Sequence, residues 1–182
     1  SDERFALSDL TITSGLASAP MASVSVAVDG EIHKTVATGV AAAVAGGFTA
    51  VACMANTLPA NDSGWVTSVI VRAAERAALA RVFPIGAISK GLEGLELAPM
   101  GAMVAAGAVA VSDDGRPVSN AELMRRALEY AKPLGIVLAQ HCEVAELTKG
   151  AVMHEGPCCS HLGLPGWPAI AALIRRWVSR SG

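Results

Sequence analysis

Charge is what this sequence has least of. Only 16% of its 182 residues are charged, the net charge is -2, and no residue from Thr35 to Asn61 is formally charged at neutral pH. That balance leaves no basic footprint for nucleic acid and no acidic tail, so a neutral or anionic small molecule is the expected kind of partner. The uncharged run is long enough to raise the question of a membrane span. It is mostly Ala, Gly, Thr and Val and is broken by Gly46-Gly47, so no span is expected. The polar start with Asp2, Glu3 and Arg4 does not read as a secretory signal. Cys53, Cys142, Cys158 and Cys159 lack the spacing of a disulfide scaffold, and adjacent Cys158 and Cys159 are awkward to pair with each other. Reduced thiols and a cytoplasmic location are therefore expected. Internal repeats and low-complexity linkers are also missing.

What is present is an alternation of short β-rich runs with longer helical ones, the βαβ signature of a parallel sheet. Strands are expected over Ser23–Val28, Thr49–Met54, Arg81–Ile85, Ala108–Val111 and Gly135–Ala139. Helices are expected over Lys34–Ala45, Ser63–Leu79, Leu95–Ala106 and Asn120–Lys132, with Gly46-Gly47, Gly107 and Gly135 punctuating the turns. Ser119 reads as the N-cap of the fourth helix, with Glu122 as the return half of a capping box. Leu123, Ala127, Leu128 and Ala131 then fall at helical spacing for packing on the sheet. A further apolar helix is expected over Pro168–Ser179. The chain is long enough for one domain with a sizeable core and shorter than the about 250 residues of a complete eight-stranded α/β barrel. The expected fold class is α/β: a partial TIM-like (β/α) barrel of about five β/α units.

The chemistry gathers between Ala110 and Glu143. One short apolar strand ends in Ser112-Asp113-Asp114-Gly115-Arg116-Pro117 and the next in Gln140-His141-Cys142-Glu143. In an α/β barrel the C-terminal ends of the strands share one mouth, so Asp114 and His141 can converge. A carboxylate and a neutral imidazole are a donor pair that zinc accepts. Alone, an Asp-Asp-Gly is also an ordinary turn, and a His after an apolar strand is often no more than hydrogen-bonded.

Longer stretches carry a resemblance. Gly46-Gly47-Phe48-Thr49-Ala50-Val51-Ala52-Cys53-Met54 followed by Asn56-Thr57, Arg81-Val82-Phe83-Pro84-Ile85-Gly86-Ala87, Leu123-Met124-Arg125-Arg126-Ala127-Leu128-Glu129-Tyr130-Ala131 and Leu162-Gly163-Leu164-Pro165-Gly166 occur in series. Together with the two strand ends they resemble bacterial dihydroorotases of the multifunctional-complex type, in the amidohydrolase superfamily. The resemblance runs from about Gly30 to Gly166 and implies an amidohydrolase barrel. It implies zinc as cofactor, with Asp114 as the metal-bridging carboxylate and His141 as the next zinc ligand. It makes Asn56 the asparagine that helps hold the substrate carboxylate. The implied reaction is reversible hydrolysis of dihydroorotate to carbamoyl aspartate in pyrimidine biosynthesis.

The sequence also departs from that family. Where the family reads His-Val-His-Leu-Arg-Glu-Pro-Gly, this chain reads Ser23-Val24-Ser25-Val26-Ala27-Val28-Asp29-Gly30. Serines stand at both histidine positions and Ala27 at the substrate-binding arginine, and a shifted gap substitutes Val26 and Val28. No histidine precedes His33, which resembles a non-ligand histidine of the family. Met54-Ala55-Asn56 lacks the proline usual before that asparagine. The family's later histidine and its catalytic aspartate are expected beyond Gly182. Residues 1–22 are expected to be a degenerate N-terminal segment in place of a small β-rich domain, and residues 23–182 the partial barrel. Asp114 and His141 alone fall short of the three protein ligands of a catalytic zinc.

His154, Cys158, Cys159 and His161 form a second group of possible zinc ligands, with irregular spacing that also suits ordinary loop packing. Trp65, Trp167 and Trp177 are too scattered for a binding platform and are expected in core or interface positions. An open parallel sheet leaves an edge and an apolar face to be covered, so a homo-oligomer or a complementary barrel chain is the expected partner. Two functions follow. One is part of a dihydroorotase, inactive as an isolated chain; the other is a non-catalytic scaffold subunit assembling with aspartate transcarbamoylase or with a complementary chain.

Overall fold

The computed structural model describes residues 34–171 and, upstream of them, three short strands: β1 (Ala6–Leu7), β2 (Asp9–Thr13) and β3 (Ala22–Ser25). The β/α alternation expected from the sequence follows. Thr35 opens α1 (Val36–Ala45) with a reciprocal cap, its Oγ1 accepting from the Thr38 N–H while Thr38 Oγ1 accepts from the Thr35 N–H. Val36, Gly39, Val40 and Ala43 recur at helical spacing and are the residues α1 buries. Then come β4 (Ala50–Cys53), β5 (Thr57–Leu58), α2 (Gly64–Ala77), β6 (Arg81–Gly86), a 3-10 turn at Lys90–Leu92 and α3 (Met100–Ala105). The chain continues through β7 (Ala110–Ser112), α4 (Ala121–Leu134), β8 (Val137–Ala139), α5 (Ala145–Thr148), β9 (Met153–His154), α6 (Pro157–Leu162) and β10 (Gly166–Trp167).

The main sheet has the order β3-β2-β4-β6-β7-β8. Its β4, β6, β7 and β8 are parallel neighbours, each step crossing over through one helix, which is the arrangement parallel pairing requires. The sheet is mixed rather than wholly parallel, a correction to the five parallel strands expected. β2 pairs antiparallel with both β3 and β4, so the strand expected from Ser23 onward sits one place removed from β4. β2 lies within the stretch expected to be a degenerate N-terminal segment, over which no strand is expected.

The pleat sorts the side chains of the parallel strands onto two faces. Val51, Cys53 and Val82 pack with Val40, Val66, Val69 and Ile70 from α1 and α2. Val111 and Leu138 pack with Met103, Leu123, Met124 and Ala127 from α3 and α4. The opposite face holds a smaller cluster of Ala52, Met54 and Ile85 with Ala110 beside them. Across this face Ile85, Ala110 and Val137 form one row. The face is buried at Ile85 and exposed at Val137 and Phe83. In a barrel this face would be the interior, and the parallel half of the sheet is consistent with a partial α/β barrel.

Two local expectations are corrected. The cap of α4 is Asn120, whose Oδ1 accepts from the Glu122 and Leu123 N–H groups at 3.0 and 3.1 Å. Ser119 instead donates to the Pro117 carbonyl, and Glu122 pairs with Arg126 one turn on. α4 closes in Gly135, whose left-handed φ of 66° costs a glycine little. The third helix starts at Met100 rather than Leu95, because Ser89 and Leu97 form a β-bridge that holds the intervening chain in a loop ending at Pro99. Trp65 lies exposed on α2, which leaves the interface half of its expected placement open.

The uncharged run from Thr35 to Asn61 folds into α1, β4 and β5, and no helix among the described residues is long and apolar enough to cross a membrane. Cys53, Cys142, Cys158 and Cys159 are all free thiols. Trp177, His33 and most of the helix expected over Pro168–Ser179 lie outside the described residues.

Candidate functional site at the strand ends

Asp113 and Asp114 are neighbours with different surroundings. Asp113 is almost completely buried, and its carboxylate gathers the loop that follows β6. Oδ1 accepts from the Ile88 N–H at 2.7 Å and the Ser89 N–H at 3.1 Å, and Oδ2 accepts from the Ser89 hydroxyl in a short contact. Ser89 Oγ in turn accepts from the Gly94 N–H at 2.8 Å. Burial pushes the Asp113 carboxyl above its ordinary pKa, and the hydrogen bonds from Ser89 and Ile88 oppose that rise. Asp113 is thus the tie between the ends of β7 and β6.

The same residue starts the turn that displays Asp114. The Arg116 N–H donates to the Asp113 carbonyl at 2.9 Å, with Gly115 at a φ of 76° in the third place. A turn with a positive φ there asks for glycine and leaves the second residue at the corner. Asp114 occupies that corner, with its side chain 32% exposed.

On the neighbouring strand, Gln140 follows β8 and donates from Nε2 to the Val118 carbonyl at 3.2 Å. His141 comes next. Its Nδ1 lies 4.0 Å from Asp114 Oδ1, and its Nε2 lies 2.8 Å from Glu143 Oε2. Glu143 Oε1 accepts from the hydroxyl of Thr148, at the end of α5, at 2.5 Å. The Thr148 hydroxyl first, and His141 second, hold the Glu143 carboxyl below its ordinary pKa. Asp114 and His141 are thereby brought together as the sequence indicated, while Glu143 and Thr148 are additions. A carboxylate two residues after a candidate ligand was a readable signal for Glu143, but nothing in the sequence pointed to Thr148, whose hydroxyl arrives through the turn into α5.

Asn56 stands just past the C-terminal end of β4, on the same rim as Asp114 and His141. Two strand spacings, about 10 Å, separate β4 from β7. The loop carrying it is held by Asn61, fully buried, whose Nδ2 donates to the Ile85 carbonyl at 2.9 Å and whose Oδ1 accepts from Thr67 at 2.7 Å. The Asn61 backbone closes the same knot, N–H to the Ala55 carbonyl and carbonyl from the Ala87 N–H, both at 2.8 Å. This anchor was also missed, because a lone Asn in a polar loop has no distinguishing pattern.

Asp114 and His141 offer one oxygen and one nitrogen donor, which suits zinc, and a carboxylate on the second ring nitrogen is the usual support of a ligating histidine. The donor set stops there. Among the described residues no group of three or more His, Cys, Asp and Glu side chains is placed to hold a metal ion. The same finding removes the second group read from the sequence. Cys158 and Cys159 are consecutive on α6, so about 100° of helical rotation separates them. Cys159 turns inward to the Gly156 carbonyl at 3.1 Å while Cys158 is exposed, and His154 sits on β9 and His161 is exposed on α6.

Comparison with known proteins places the chain in a family. A family model described as dihydro-orotase-like matches residues 21–174. The chain is 56% identical over 138 residues to a dihydroorotase of Geotalea daltonii, 53% over 141 residues to one of Syntrophobacter fumaroxidans, and 55% over 141 residues to one of Anaeromyxobacter dehalogenans. These matches cover 76%, 78% and 78% of this chain, and 32%, 32% and 33% of the respective relatives. The chain spans about a third of the length of the curated relatives it matches. With a family model matching residues 21–174 and identities of 53–56% along more than three quarters of its length, the chain belongs to the dihydroorotase family.

Proposed function

We propose that this chain carries part of a zinc-dependent dihydroorotase site and does not turn over dihydroorotate by itself. The observation that carries the reading is the approach of Asp114 Oδ1 to His141 Nδ1, 4.0 Å apart on adjacent parallel strand ends. In this reading Asp114 and His141 hold zinc together with ligands from elsewhere, and Asn56 helps hold the substrate carboxylate. A bound zinc would supply an acidified water and a polarised ring carbonyl for the reversible hydrolysis of dihydroorotate to carbamoyl aspartate. Pyrimidine biosynthesis in the cytosol is the setting. Residues 1–22 would be a reduced N-terminal segment and residues 23–182 the partial barrel.

Ser23, Ser25 and Ala27, at positions where the family carries two histidines and an arginine, favour a second reading. In it the chain is a non-catalytic scaffold that assembles with itself, with a complementary barrel chain or with aspartate transcarbamoylase. The sheet face that opens toward Phe83 and Val137 would then meet the partner.

Dihydroorotate hydrolysis by the purified chain with added zinc, run beside Asp114→Ala, separates the readings. Weak zinc uptake and no turnover by either protein are expected. A tightly held zinc that is lost in Asp114→Ala would overturn the expectation of weak binding. Turnover that the variant abolishes would show the site completed by ligands from another copy. No zinc uptake at all would leave the scaffold reading.

A further inference from the structure

We infer that Glu143 and Thr148 are positioning residues that fix the His141 ring, with its Nε2–H held on Glu143 and its Nδ1 lone pair turned toward Asp114. Which atoms can donate decides where the ring proton sits. At neutral pH a glutamate is a carboxylate and has only acceptors to offer. Its Oε1 is taken by the Thr148 hydroxyl and its Oε2 faces His141 Nε2 at 2.8 Å. The proton in that second bond must therefore come from the imidazole. In the neutral ring one nitrogen donates and the other accepts, so Nδ1 is left with the lone pair. Nδ1 is the atom that lies 4.0 Å from Asp114 Oδ1.

The arrangement is built to hold. Thr148 is buried, and its alternative acceptor, the Ala145 carbonyl, is 3.4 Å away against 2.5 Å for Glu143. Ahead of Glu143, its own N–H donates to the His141 carbonyl at 3.0 Å, so the backbone sets the two side chains on one side of a tight turn. Behind it, the Val144 N–H donates to the Ala171 carbonyl at 3.0 Å, which fixes the entry to α5. The consequence for ligand binding rests on the zinc reading above. Only a ring whose Nδ1 is free of its proton and already aimed at Asp114 can share an ion with that carboxylate without first reorienting.

The test reads the ring directly. Ring nitrogen shifts of His141 are recorded by NMR on the full chain at about pH 8, where an ordinary histidine is neutral. Zinc uptake is titrated on the same samples. The variants are Glu143→Gln, Thr148→Val and Thr148→Ser. In the wild type the ring is expected as the Nε2–H form. In Glu143→Gln, with the amide oxygen still drawn to Thr148, the amide N–H₂ faces the ring, the proton moves to Nδ1, and zinc affinity falls about 10- to 100-fold. Thr148→Val is expected to loosen the ring in the same direction and Thr148→Ser to restore it, a rescue that a packing role would not produce.

Ring shifts unchanged in both Glu143→Gln and Thr148→Val would overturn the inference even if zinc binds and is lost in Asp114→Ala. Ring shifts that respond as described, with no zinc taken up by any form, would uphold the positioning and end the zinc reading instead.

Discussion

The ends of β7 and β8 carry similar residues on differently built ground. At the end of β7, Asp113 is 1% exposed and holds the neighbouring loop by two backbone N–H groups and a hydroxyl. At the end of β8, Glu143 has its side chain 20% exposed and holds a ring and a threonine. β7 lies between β6 and β8, so it is flanked on both sides, whereas among the described residues of the main sheet β8 pairs with β7 alone. An inner strand can dehydrate a carboxylate because backbone donors from the next strand's loop are at hand to replace water. The outermost strand keeps one side open, and its carboxylate is left to orient a side chain rather than to tie the fold. The inner end is therefore stability, and the outer end is the adjustable part of the site.

The sharpest way to break this contrast is at Asp113. Asp113→Ala leaves the Ile88 and Ser89 N–H groups buried without their acceptor, at a cost of roughly 3 kcal/mol in urea unfolding. Asp113→Asn keeps one acceptor oxygen and is expected to lose about 1 kcal/mol. If the two variants were equally mild, Asp113 would not be the tie described. A second pair of measurements sharpens the same point with apolar residues. Val111 on β7 is fully buried and Val137 on β8 is 68% exposed. Val111→Ala is expected to cost about 2 kcal/mol, and Val137→Ala to stay within about 0.5 kcal/mol. Equal losses would mean that β8 is covered as β7 is, by a second chain in the sample, and gel filtration would then show an assembly.

Much of the fold was legible from the sequence because the β/α units obey local rules. Apolar runs bounded by Gly46-Gly47 and Gly135 gave β4, α1, α4 and β8 to within a few residues. The N-terminal arrangement was not legible, since the choice of β2 rather than β3 as the neighbour of β4 is made by pairing across the sheet and not by composition. The cap of α4 was misread by one residue because Ser119 and Asn120 are both good caps, and the backbone puts the Asn120 oxygen within reach of two N–H groups. At the site, Asp114 and His141 were legible as the polar residues that end two strands. Asp113 was not separable from Asp114 by type, and only the Gly115 turn decides which of them is rooted and which displayed. Asn61 and Thr148 act through bonds to residues remote from any motif, so no pattern announces them.

The smallest expected effect belongs to the outer end and shows itself through pH. Thr148 and His141 hold the Glu143 carboxyl below its ordinary pKa, so the folded chain favours the ionised form more than the unfolded chain does. Such a group contributes stability that is present above the unfolded pKa, about 4.3 for a glutamate. That contribution is lost as pH falls through the lower folded value. Unfolding free energies of the wild type and Glu143→Gln are thus expected to differ by a constant amount above the carboxylate range and to converge below it. Asp113 runs the other way: burial raises its carboxyl, so the folded chain binds that proton more readily than the unfolded chain, and acidification relieves the burial penalty instead of removing stability. A difference between wild type and Glu143→Gln that stays flat from about pH 7 down to about pH 3 would mean that Thr148 and His141 do not favour the charged form. The two strand ends would then differ in burial alone, and the outer carboxylate would have no more hold on its ring than solvent does.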